Sequence, residues 1–129
     1  MFAAVGPFDG YLTTLKPHET MPDGLPFPSY RCIFPEAPPP GTVANCAEVG
    51  VLGAIVGVIG ALQATEVLKE IVGLGQSLAG RLLIYDARAA RFTEIKVAWD
   101  ETNPLSGRVP TICDLTGHER AANDPACAA

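Results

Sequence analysis

Residues 45–72 constrain the fold more than any other part of the chain. Asn45 followed by Glu48 is a capping-box-like pair, in which each side chain can satisfy a backbone N–H orphaned at a helix start. Apolar and small residues then run to Val72, where Gly73 and Gly75 act as stop signals and Lys69 stands at the end favoured by a cation. One long helix is expected over 45–72. Its apolar run, residues 49–62, is 14 residues long and carries four glycines. A membrane-spanning helix needs roughly 20 apolar residues, so a buried core helix is the expectation.

The glycines in that helix require an explanation. Gly50, Gly53, Gly57 and Gly60 each cost about 1 kcal/mol relative to Ala in a helix interior, which close packing must offset. Gly53, Gly57, Ala61 and Ala64 fall at three- or four-residue steps and form a smooth stripe. A tight helix-on-sheet contact is favoured for it, and a helix–helix interface between subunits is the alternative.

Around the helix, residues 2–5 and 10–15 read as short strands joined through a Gly6-Pro7 turn. Eight prolines fall in residues 16–44 and hold their neighbours extended, which predicts a long Pro-rich crossing loop. A loop of that length is a weak functional signal in itself. Residues 81–86 (RLLIYD) read as a strand buried on both faces and residues 91–99 (RFTEIKVAW) as a half-exposed one, connected antiparallel through residues 87–90. The end of the chain, residues 116–129, reads as a small, polar, mobile tail.

Composition narrows the partners. The formal charge of −5 and the lack of Lys/Arg runs leave no electrostatic footprint for nucleic acid. The N-terminus has no basic residue before its short apolar stretch and does not read as a signal peptide. Four cysteines, Cys32, Cys46, Cys113 and Cys127, form no CxxC pair, which fits reduced thiols in the cytoplasm.

The motifs YRCIFPE, PPPGTVANCAEVGVLGAIVGVIGALQATEVLK, GRLLIYDARAARF and PTICDL stand in order, with FDGYLTTLKP near the start. Together they resemble the C-terminal region of the ThiF/MoeB/HesA adenylyltransferases of molybdopterin and thiamine biosynthesis, including their rhodanese-fused relatives. The resemblance implies an α/β chain, the C-terminal part of a Rossmann-like ThiF-type fold. Its parts would be mixed-sheet strands, one long Gly-rich helix and the Pro-rich crossover loop over 16–44. Residues 1–115 would be the C-terminal half of the adenylyltransferase domain. In that family ATP and magnesium are held by a glycine-rich turn, an acidic ribose ligand, an arginine, a lysine and an aspartate in the preceding half of the fold. None of those motifs stands in this sequence, and a GxGxxG turn is what would bring backbone N–H groups up to phosphates. No cofactor is therefore expected for this chain alone. Met1 stands where the family is mid-fold, as in a fragment, a split gene or a mis-set start.

Cys46, just after the Asn45 cap, would meet the positive end of a helix dipole, which lowers a thiol pKa. By resemblance it is the candidate thioester or persulfide cysteine; a small buried residue is the plain alternative. Cys113, Cys127, His18 and His118 match no nucleophile or base. The family's structural zinc is bound by two CxxC pairs, and the four matching positions here read Ser29, Cys32, Asn103 and Ser106. That set is a poor zinc site, so no structural metal is expected. Arg81, Arg88 and Arg91 surround the strand pair and would steer an acidic carrier or simply keep a hairpin soluble. Asp86 reads as a turn former.

The resemblance implies adenylation of the Gly-Gly terminus of a ubiquitin-fold sulfur carrier, with the carrier as partner, and a homodimer or a separately encoded N-terminal half as further partners. Two other readings stand beside it: a non-catalytic docking or assembly module, and an inactive remnant with an exposed apolar helix face.

Overall fold

The structure is a computed structural model and describes residues 1–39, 42 and 49–114. Gly6 and Pro7 turn the chain between β1 (Phe2–Val5) and β2 (Asp9–Thr13), and the Gly6 N–H donates to the Asp9 carbonyl at 2.8 Å. A Cβ on Gly6 would lie 2.5 Å from an Asp9 carboxylate oxygen, so a side chain does not fit this turn. A second hairpin joins β3 (Arg81–Asp86) to β4 (Arg91–Lys96). At its tip Asp86 Oδ1 accepts the N–H groups of Arg88 and Ala89 at 2.9 and 3.3 Å, the turn-forming role its position implies. Ala90 closes the turn at φ 49°, a left-handed conformation costly for a residue with a Cβ.

β2 pairs with β3 across the sequence gap, Asp9 opposite Asp86 and Leu12 opposite Leu83, giving the order β1-β2-β3-β4 with every neighbour antiparallel. A one-residue parallel bridge, Thr14 to Ala79, continues β2. The Pro-rich stretch is not wholly loop. It holds the short helix α1 (Tyr30–Ile33), and the rings of Tyr30 and of Phe34 just after it both meet Phe2 of β1 edge-on.

The long helix, α2, spans Gly53–Val72 and packs on β1 and β2. Its C-terminus is as expected: Gly73 is left-handed at φ 65°, and the Gly73 and Leu74 N–H groups both return to the Lys69 carbonyl. Its N-terminus is not. Gly50 is left-handed at φ 74°, which breaks any helix arriving from residue 49, and the Leu52 N–H donates to the Pro7 carbonyl at 3.2 Å. Leu52 is thus the N-cap, with no side-chain cap bond, and Asn45 does not cap this helix.

Five aliphatic side chains form the buried core among the described residues: Leu12, Ile55, Ile59, Leu78 and Leu82. Because α2 covers only β1 and β2, the second hairpin departs from expectation. Along β3 only Leu82 is buried, and all six residues of β4 are exposed. The strand expected to reach residue 99 ends at Lys96, and Trp99 instead donates its indole N–H to the Ser106 carbonyl at 3.0 Å.

Candidate functional site

Ser29, Cys32, Asn103 and Ser106, the four positions that the resemblance sets against zinc ligands, come together, although Ser29 and Cys32 are some seventy residues from Asn103 and Ser106. Ser29 precedes α1 and Cys32 lies within it; Asn103 and Ser106 belong to the turns after β4. Asn103 is 1% exposed and Ser29 2%. Asn103 Nδ2 faces Ser29 Oγ at 2.8 Å, Cys32 Sγ at 2.8 Å and Ser106 Oγ at 3.1 Å. Asn103 Oδ1 accepts the N–H groups of Leu105 and Ser106 at 2.7 and 3.0 Å, and the Asp100 N–H points to Cys32 Sγ at 3.5 Å. One thiol, two hydroxyls and an amide already bonded to one another are not a donor set for zinc, which takes thiolates and imidazoles. No group of three His, Cys, Asp or Glu side chains converges as metal ligands among the described residues.

The second feature is the face of α2 turned away from the sheet. Close approach of helix and sheet does use a glycine, but it is Gly10 of β2, where a Cβ would lie 2.4 Å from Ile59 Cγ1 and 2.6 Å from Cδ1. Gly53, Gly57 and Gly60 have no atom within 4 Å of where a Cβ would stand. The expected contact between the glycine stripe and this sheet is therefore corrected. The sheet side is set by Ile55 and Ile59, and the stripe falls on the opposite side.

Polarity in the last two turns of α2 is inverted for a surface helix. Glu66 is buried, ion-pairs with Lys69, and accepts the Leu78 N–H at 3.2 Å; Glu70 meets Lys16 Nζ at 2.6 Å. Outside, Leu68, Ile71 and Val72 are 62%, 74% and 67% exposed. The Lys16 hydrogen bond, and after it one from Ser77, holds the Glu70 carboxyl below its ordinary value, while the same Glu70 bond raises Lys16. The spacing of Ile55, Ile59 and Glu66 was the available signal for the burial of Glu66, since those positions share one helical face.

The expected arginine cluster is split. Arg81 starts β3, where it pairs with Glu94 at 2.9 Å and donates to the Ser77 carbonyl at 2.6 Å. Arg88 and Arg91 lie at the hairpin's other end, roughly 17 Å away at the rise of an extended strand, and Arg88 stacks on Phe8 at 4.5 Å. Cys113 is exposed, and His18 is exposed beside Glu19. Asn45, Cys46, Glu48, His118 and Cys127 lie outside the described residues. The role expected of Cys46 therefore falls on residues the structure does not describe. No helix among the described residues is long and apolar enough to cross a membrane.

Similarity to known proteins agrees with the motifs. The profile of the ThiF family matches residues 1–107. A sulfur carrier protein adenylyltransferase of Thermus thermophilus is 43% identical over 92% of this chain and 43% of its own length. The SAMP-activating enzyme E1 of Haloferax volcanii is 45% identical over 92% of the chain and 42% of its own length. An adenylyltransferase and sulfurtransferase MOCS3 of Drosophila grimshawi is 54% identical over 74% of the chain and 22% of its own length. The chain spans less than half the length of each. A family match across most of the chain, joined to the same hairpins and glycine-rich helix that carried the motifs, means that the chain belongs to the ThiF family.

Proposed function

We propose that this chain is the carrier-docking part of an ATP-dependent adenylylation unit whose nucleotide-binding part lies outside these 129 residues. In the complete unit, a terminal carboxylate oxygen of a ubiquitin-fold sulfur carrier attacks the α-phosphorus of ATP. The bond to pyrophosphate breaks, leaving a carrier acyl-adenylate and free pyrophosphate. Attack by a sulfur nucleophile then expels AMP, and Cys46 is the candidate thiolate in this chain.

The observation that carries the reading is the outward apolar face of α2. A helix that is apolar on the side away from its own sheet belongs inside a larger protein. Leu68, Ile71 and Val72 are all more than 60% exposed, and fully burying such a side chain contributes about 1.5–3 kcal/mol. The relatives supply a reason for the bareness: more than half of each relative's length has no counterpart here. No GxGxxG turn, which would bring backbone N–H groups up to phosphates, stands in the sequence, which supports placing nucleotide binding elsewhere.

The test is ATP–pyrophosphate exchange with a Gly-Gly-ended carrier. The chain alone should give none, and the chain mixed with a nucleotide-binding half should give carrier-dependent exchange. Exchange by the chain alone would refute the proposal. For Cys46, a carrier adduct seen by intact mass and lost in Cys46→Ser supports the covalent role, and an unchanged adduct removes it.

A further inference from the structure

The cluster of Ser29, Cys32, Asn103 and Ser106 has lost its fitness for zinc but kept the geometry of a cross-link. In a tetrahedral thiolate site with bonds of about 2.3 Å, neighbouring ligands stand about 3.8 Å apart. Ser29 Oγ and Cys32 Sγ are 3.8 Å apart here. Asn103 Nδ2 stands near the centre of the group, 2.8, 2.8 and 3.1 Å from the other three polar atoms. Its two hydrogens are shared among three acceptors, while Oδ1 is taken by two N–H groups of its own loop.

We propose that the Asn103 carboxamide replaces the family's structural metal, clasping the α1 segment to the loop after β4 by hydrogen bonds alone. A buried amide can do this only if its polar atoms are partnered, because each one left bare costs about 1–3 kcal/mol. Every polar atom of Asn103 is partnered: the side chain as above, its N–H by the Asp100 carbonyl at 3.2 Å and its carbonyl by the Gly107 N–H at 2.9 Å. Gly107 completes the fit, since a Cβ there would lie 2.5 Å from the Asn103 and Glu101 carbonyl oxygens. The clasp holds the middle of the Pro-rich crossing segment, and it does so independently of metal supply.

The full 129-residue chain tests this by metal analysis and unfolding. Grown with added zinc, it should carry under a tenth of an equivalent, and its Tm should not move in a strong chelator. Stoichiometric zinc, or a chelator-sensitive Tm, overturns the proposal. Ser29→Ala and Asn103→Ala should each lower Tm, Asn103→Ala by roughly 5–10 °C. The double variant should fall little below Asn103→Ala, because both remove one interaction. Fully additive losses would mean that Asn103 only shapes its own turn, and would overturn the clasp. If Asn103→Ala fails to fold, a second variant decides. Ser29→Cys/Asn103→Cys/Ser106→Cys should bind one equivalent of cobalt(II) with thiolate charge-transfer bands. Absence of those bands means the four positions do not share a cross-link site.

Discussion

Substituting Gly57 and Gly10 by Ala should change stability in opposite directions, although both glycines belong to the same helix–sheet layer. A Cβ on Gly57 meets no atom within 4 Å, so the substitution removes only the helix penalty of glycine. That is worth about 0.8–1 kcal/mol, or a midpoint rise of roughly 4 °C for a domain of this size. A Cβ on Gly10 meets Ile59 Cγ1 at 2.4 Å, and Ile59 is 3% exposed in the core. Overpacking of this kind costs about 1–3 kcal/mol. Urea unfolding followed by far-UV circular dichroism measures both. In a complex with the nucleotide-binding half, Gly57→Ala should weaken association, because the outer stripe is then the one packed closely. A Gly57→Ala variant that destabilises the chain alone as Gly10→Ala does would refute the assignment of the stripe to an outer surface.

Two further outcomes follow from single contacts. Glu70→Gln should cost roughly 0.5–1 kcal/mol near neutral pH, since the Lys16–Glu70 pair is only about a fifth exposed. A carboxylate held below its ordinary 4.5 lends stability above that pH and loses it as pH falls through its folded value. Lys16, raised above 10.5, lends its share below that pH and loses it as pH rises further. The gap between wild type and Glu70→Gln should therefore hold between the two ordinary values, 4.5 and 10.5, and shrink as pH falls below the first or rises well above the second in urea titrations, and a gap independent of pH would contradict the pair. Ala90→Gly should stabilise by up to about 1 kcal/mol, because φ 49° costs a residue with a Cβ about that much; a thermal melt showing a loss would contradict it.

Local chemistry was legible in the sequence where one residue type settles the conformation. Gly6-Pro7 marked the first hairpin, Gly73 the end of α2 and Asp86 the second turn, and each acts in the structure as its chemistry requires. The start of α2 was misplaced because Asn45 and Glu48 form a sound capping pattern, while the left-handed Gly50 that separates them from the helix looks in sequence like one more helical glycine. The glycine stripe was assigned to the wrong side for a tertiary reason. Spacing shows that Gly53, Gly57 and Ala61 share a face but not what faces them, and Gly10, nine residues into the chain, makes the close contact instead. Asn103 read as a lost ligand, since its partners Ser29 and Cys32 are brought to it only by the fold. The arginines seemed to gather because Arg81, Arg88 and Arg91 are near in sequence, yet a strand of six residues separates the first from the others.

The most direct test is complementation across the outer face of α2. The chain would be mixed with the unmatched remainder of the Thermus thermophilus relative and a Gly-Gly-ended carrier, and ATP–pyrophosphate exchange measured for wild type and for Leu68→Glu/Ile71→Glu. These two side chains are 62% and 74% exposed, so the substitutions should leave the fold of the chain alone intact. Exchange should appear with wild type, be absent from either part alone, and fall at least tenfold with the double variant, as expected when about 1.4 kcal/mol or more of docking energy is lost. Equal exchange by the double variant, or exchange by the 129-residue chain alone, would contradict the assignment of this face to a nucleotide-binding partner.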